Sequence, residues 1–153
     1  MIIPNKFKDI PQIKIHYINP QPISERIQLN SSQDVYDAFI STWDMQQIEY
    51  REELKMLVLS RGNYVLGITS LSQGIHSGSL LSTRMLLQTA LLTNANSIIL
   101  AHNHPSGNIQ PSQQDKKVIK RVKQACSLME IHLLDNFILT TSDYFSFAEH
   151  GLL

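Results

Sequence analysis

The stretch Ala101-His102-Asn103-His104-Pro105-Ser106-Gly107-Asn108-Ile109-Gln110-Pro111-Ser112-Gln113-Gln114-Asp115 decides how this chain is read. It follows the apolar run Ser97-Ile98-Ile99-Leu100-Ala101, whose length and composition fit a short buried strand. Residues two apart in a strand point to the same face. His102 and His104 therefore place two imidazoles side by side at the strand's end. A loop stiffened by Pro105 and Pro111 leads to a polar helix start carrying Asp115. Two His nitrogens and one carboxylate oxygen, with a place left for water, are the donor set of a catalytic zinc site.

The same residues carry a plainer reading. Ser112-Gln113-Gln114-Asp115 is also a capping box, in which the Ser and the acid three residues on satisfy orphan N–H groups of a helix. Ser112 can serve both readings. For Asp115 they compete, because a carboxylate spent on a metal caps poorly. Gly107 permits the positive φ of a tight turn.

Outward from this stretch, an α/β order emerges: a mixed β-sheet with helices packed on it. Ser31-Ser32 caps a helix over residues 34–43, with Val35, Phe39 and Trp43 on one face. Residues 54–59 and 64–69 read as a hairpin about the turn Arg61-Gly62-Asn63. A Gly/Ser loop over 74–79 precedes a helix over 81–92 that ends near Asn94. The helix over 113–129 has Val118, Val122, Cys126 and Met129 at helical spacing. Residues 131–134 and 137–140 read as two late strand pieces, and 144–150 as a helical turn. Residues 1–30 form an N-terminal arm in which 13–18 alternate like a strand. Residues 31–153 form the domain that carries the site.

Composition narrows the function classes. At 153 residues, with 42% apolar content, a single globular domain is expected. Thirteen basic and thirteen acidic residues cancel, which gives no global field for a polyanion, so nucleic acid is weakly supported as a partner. Cys126 is the only cysteine, so neither an internal disulfide nor a cysteine-based zinc knuckle can form. Absence of a secretory core or a long apolar run points to a cytoplasmic protein with no membrane partner. H-E-x-x-H is absent, which excludes a helical zincin. The Pro-Cys-x-x-Cys of nucleobase deaminases is absent too. Lys116, Lys117, Lys120, Arg121 and Lys123 make one helix basic: a solvated face, or a dock for an acidic partner. His16, His132 and His150 lack partner spacing. His76 lies in the Gly/Ser loop, within reach of a substrate.

His102-x-His104-Pro105, six further residues and then Ser112-x-x-Asp115 resembles the JAMM motif of JAB/MPN metalloproteases. The longer string His-Asn-His-Pro-Ser-Gly with Pro-Ser-x-x-Asp resembles the bacterial RadC-like branch, named historically for DNA repair. The similarity runs from about Glu52 to Phe147-Ala148-Glu149-His150-Gly151, about two thirds of the chain. It implies a JAB1/MPN-like fold with cytidine-deaminase-like layering, Zn²⁺ as cofactor, and His102, His104 and Asp115 as its ligands. It also implies a catalytic glutamate on an upstream strand. Glu49, Glu52 and Glu53 are the candidates. In the RadC pattern the acid lies seven residues before the strand's final Leu, here Leu59, which selects Glu52. Strand alternation puts Glu52 in phase with Leu54, Met56 and Val58, and Glu53 with Lys55.

The chain departs from the pattern in places. Leu134-Asp135-Asn136 stands where the family reads Leu-Asp-His, and Ser72-Gln73-Gly74-Ile75-His76 lacks the usual Gly-Thr. Arg84 matches the family's Arg near a helix start. Residues 1–50 are too short and Gly-poor for the helix-hairpin-helix region of longer RadC proteins. The expected function is a zinc-dependent peptidase or isopeptidase acting on a peptide or protein. In it Glu52 is the general base and Ser112 a hydrogen-bond donor to the oxyanion. The alternative is a non-catalytic DNA-processing accessory module.

Overall fold

The computed structural model describes residues 11, 13–73 and 81–153. The chain forms α1 (Ser32–Ile40), β1 (Glu53–Leu59), β2 (Val65–Gln73), α2 (Thr83–Leu92), β3 (Ser97–Asn103), α3 (Gln113–Leu128), β4 (His132–Leu139) and β5 (Tyr144–Ser146). One five-stranded sheet runs in the order β2-β1-β3-β4-β5. β1 pairs antiparallel with both β2 and β3, β3 runs parallel to β4, and β5 returns antiparallel. The expected mixed α/β sheet is present, and its architecture is that of a JAB/MPN-like fold.

Strand alternation divides the apolar residues between two layers. Met56, Val58, Ile98, Leu100 and Ile138 face α2 and α3, where they meet Leu86, Ala90, Ile119, Val122 and Cys126. Leu57, Leu59, Ile99, Ala101, Phe137 and Leu139 face the other way, against Val35, Phe39 and Trp43. Burying one such side chain contributes about 1.5–3 kcal/mol. Phe39 is fully buried, with its ring centroid 6.5 Å from that of Phe137. Truncating it to Ala would cost about 3–5 kcal/mol.

Several sequence expectations shift. α1 begins two residues early because Ser31, not Ser32, is the cap: Asp34 N donates to Ser31 Oγ, and the Asp34 carboxylate accepts from Ser31 N. Trp43 lies beyond the helix yet stays buried. β2 extends to Gln73, further than its alternation implied. The two late strand pieces are one strand, β4, because Asp135 and Asn136 are buried within it despite their polarity. Asp135 is accommodated by bonds from Ser146 Oγ at 2.5 Å, Ala148 N at 2.9 Å and Asn136 N at 2.7 Å. Burial pushes its carboxyl up, against these bonds. Residues 144–146 are strand rather than helical turn, and Met129 caps α3 half-exposed instead of joining the core.

Residues 13–18 make no ladder; Ile13, Ile15 and Ile18 are exposed. Among the described residues, the segment bonds to β2 only through a side chain, the Tyr17 hydroxyl donating to Leu66 O. The arm joins the body further on: Val65 N donates to Ile27 O, Leu29 N donates to Asn63 O, and Leu29 is buried in the α1-side core. The Gly/Ser loop and His76 lie outside the described residues.

Candidate metal centre

β3 delivers the histidines. His102 is its penultimate residue and His104 follows its end. Their Nε2 atoms stand 3.1 Å apart, with the rings at 62°. His104 Nδ1 lies 2.6 Å from Asn108 O. A carbonyl only accepts, so Nδ1 carries the proton and Nε2 turns a lone pair toward His102. The loop allows this because Gly107 takes φ 75°, and its N–H donates to His104 O at 2.9 Å.

α3 brings the third donor. Asp115 Oδ1 is 3.4 Å from His102 Nε2, and Oδ2 is 3.7 Å from His104 Nε2. One donor atom from each of the three residues lies within 4.8 Å of the others. A small cation held tetrahedrally at about 2.0–2.2 Å needs donors roughly 3.3–3.6 Å apart. The spacing here brackets that range, so the three residues fit such an ion.

The competition expected at Asp115 is resolved by its two oxygens. Oδ2 accepts from Ser112 N at 2.7 Å and Ser112 Oγ at 2.6 Å, while Oδ1 faces His102. Asp115 N donates to Ser112 Oγ at 3.1 Å, which completes the capping box. Burial alone would raise the Asp115 carboxyl. Hydrogen bonds from His102 and Ser112 outweigh it and hold the group well below the usual carboxylate range.

Of the three candidate glutamates, Glu52 and Glu53 border one cavity and Glu49 another. Leu54 pairs with His102 across β1 and β3, so the face of Leu54 is the face of His102. Glu52 lies just before the first residue of β1 and lines one cavity with His102 and Asp115. The cavity encloses about 110 Å³, and Leu54, Leu81, Leu100, Val118 and Ile119 supply its apolar walls. Glu53 borders the same cavity, but it is buried and its carboxylate is held by neighbours: Ser70 Oγ donates to it at 2.6 Å, and Lys55 Nζ lies 3.7 Å away. Lys55 in turn sits 4.8 Å over the Trp43 ring and donates to Thr42 O, on the α1 side. Glu49 is exposed and borders a separate groove beside His104 and Pro105.

Sequence reasoning passed over Asn103, the residue between the two histidines. It is fully buried, on the opposite face from its neighbours. Its Nδ2 donates to Ile48 O at 2.6 Å and Arg51 O at 2.9 Å, and its Oδ1 accepts from Glu53 N at 2.7 Å. One amide thus pins the backbone on both sides of Glu52. An Asn at an otherwise apolar inward position was the available signal.

The chain matches the family described as RadC-like JAB domain over residues 29–152. This chain is a RadC-like JAB protein. A UPF0758 protein of Chlorobaculum tepidum is 43% identical over 105 residues, 69% of this chain and 47% of that one. The UPF0758 protein YfjY of Escherichia coli K12 is 43% identical over 103 residues, 67% of this chain and 64% of its own. One from Desulfitobacterium hafniense DCB-2 is 38% identical over 125 residues, 82% and 54% of the two chains. The RadC-like chain described here thus spans about half the length of most of these relatives. Its His102, His104 and Asp115 fit a JAMM-like metal site. No helix among the described residues is long and apolar enough to cross a membrane.

Proposed function

We propose that this RadC-like domain is a zinc-dependent amide hydrolase acting on peptides or on isopeptide bonds. The observation that carries this reading is the close approach of donor atoms from His102, His104 and Asp115 beside a cavity that Glu52 lines with His102 and Asp115. A zinc ion held by His102, His104 and Asp115 would supply Lewis acidity and bring a water's pKa toward ~7. Glu52 accepts the attacking water's proton and returns it to the leaving amine. Asn103 keeps that carboxylate in place through the backbone at Arg51 and Glu53. Ser112 Oγ, whose proton goes to Asp115 Oδ2 here, would turn from that carboxylate to donate to the developing oxyanion. The apolar walls exclude bulk water, which strengthens each of these interactions.

The test is a set of Glu→Gln variants assayed for zinc and for cleavage of a peptide library. Glu52→Gln is expected to keep its zinc and lose about 10²–10⁴ in hydrolysis, the usual contribution of a positioned base. Glu53→Gln and Glu49→Gln should cost little turnover. An inactive Glu53→Gln beside an active Glu52→Gln would assign the base to the other strand face.

A second reading rests on α3, where Lys117, Lys120, Arg121 and Lys123 are exposed. It makes the domain a non-catalytic DNA-processing module. DNA binding that weakens with salt and survives His104→Ala would favour it.

A further inference from the structure

Asn136 sits in β4 directly beside Leu100 of β3, on the sheet face that carries His102. It is 0% exposed. Its main chain is fully used: N donates to Asp135 Oδ1, and O accepts from Phe147 N. Its side chain is not used at all. Among the described residues neither Oδ1 nor Nδ2 has a hydrogen-bond partner. The same side chain lines the cavity that Glu52, His102 and Asp115 share.

A buried amide left unpaired is a net loss to the fold, and a Leu at this position would avoid it. The cavity it borders is lined by Leu54, Leu81, Leu100 and Ile119 and, on its polar side, by Glu52, His102, Gln114 and Asp115, none of which bonds to the Asn136 side chain. One donor and one acceptor therefore lie side by side at the cavity wall, closed off in this structure, and a ligand reaches them once the side chain turns toward the cavity. A ligand amide answers both, its carbonyl taking Nδ2–H and its N–H reaching Oδ1. A carboxylate would satisfy Nδ2 and repel Oδ1; an alkyl group would satisfy neither.

We propose that Asn136 is the recognition group of this pocket and reads an amide of the substrate by paired hydrogen bonds. This rests on the hydrolase reading for what the substrate is, but not for the binding itself. The amide has two sources, a side-chain carboxamide or the peptide main chain, and the test separates them.

Binding of N-acetyl-glutamine N-methylamide and of its methionine counterpart is measured by NMR, on the Glu52→Gln chain so that nothing is cleaved. The glutamine probe is expected to shift the Asn136 side-chain NH₂ resonances and to bind at least about tenfold tighter than the methionine probe. In Asn136→Leu the preference should vanish while the melting temperature does not fall. Asn136→Asp, which keeps the shape and removes the donor, should lose the preference as well. Equal weakening of both probes in these variants assigns the amide to the main chain. Equal binding of both probes to parent and variants overturns the proposal. So does adenosine binding that depends on Asn136 when neither peptide probe binds. A chain that cleaves no peptide yet still prefers the glutamine probe refutes the hydrolase reading and leaves this inference standing. A chain that cleaves peptides equally well with Leu at 136 does the reverse.

Discussion

The chain writes the same helix start twice. Ser31-Ser32-Gln33-Asp34 opens α1 and Ser112-Gln113-Gln114-Asp115 opens α3, and both form a complete capping box. In each the acid's Oδ2 accepts from the backbone N–H of the cap serine, at 2.9 Å in the first and 2.7 Å in the second. The difference lies in what the second oxygen meets. At Asp115 it faces His102, beside His104. At Asp34 no histidine takes part; Oδ2 also accepts from Asn30 N, and that box is purely a cap. Asp115 is a candidate metal ligand because a strand end brings a nitrogen to each of its oxygens, His102 to Oδ1 and His104 to the capping Oδ2. α1 is thus an internal control for α3.

The largest expected contrast is in metal. Asp115→Ala should fall from about one zinc per chain to almost none after desalting, since two protein donors hold the ion poorly. Asp34→Ala should keep all of it. Elemental analysis that finds the two variants alike would erase the distinction between the boxes. His104→Ala should match Asp115→Ala in metal without touching a cap.

A smaller contrast separates the serines. Ser112→Ala should retain zinc and lower turnover by up to about 10²–10³, the range for loss of an oxyanion donor. Ser31→Ala should leave turnover unchanged in the same assay. Unaltered kinetics in Ser112→Ala would reduce that serine to the role Ser31 has.

The smallest effect is one the boxes share. Either Ser→Ala change should lower stability by about 0.5–2 kcal/mol in denaturant titrations of metal-free protein. Both capping acids titrate below the ordinary carboxylate range: Asp34 through the backbone of Asn30 and the Ser31 side chain, Asp115 because bonds from His102 and Ser112 outweigh its burial. A lowered folded pKa gives stability that is present above the unfolded value, about 3.9, and lost as pH falls below it. Metal-free stability should therefore decline on acidification from about pH 5 downward. Replacing either acid with Ala should flatten that decline; an unchanged acid limb in both variants would mean that the boxes do not carry it.

The His pair was legible because a strand's period of two is strict; the phase expected for Glu52 was not, because β1 begins one residue after it. What stayed hidden depends on individual atoms. No residue code shows that the two oxygens of Asp115 divide their work. β4 read as two pieces because Asp135 and Asn136 are polar. Only the structure shows that Ser146 and Ala148 satisfy the first and that nothing described satisfies the second. Asn103 and Asn136 are equally buried and alike on paper, yet one amide holds the chain and the other lies unpaired at the cavity wall.

The way Asn103 fastens Glu53 bears on the order in which the centre is assembled. That bond joins residues 50 apart, whereas His104 and Asp115 are separated by one short loop. Closing the longer loop costs about 1 kcal/mol more chain entropy, and it also requires β1 to pair with β3. On the proposed function, the metal-binding half is local and the base is not. In rising denaturant the domain should lose hydrolysis while zinc is still bound, and on refolding it should regain zinc first. Stopped-flow refolding with a zinc-release dye and an activity probe would show the two events apart; simultaneous recovery would mean that the whole centre forms in one step.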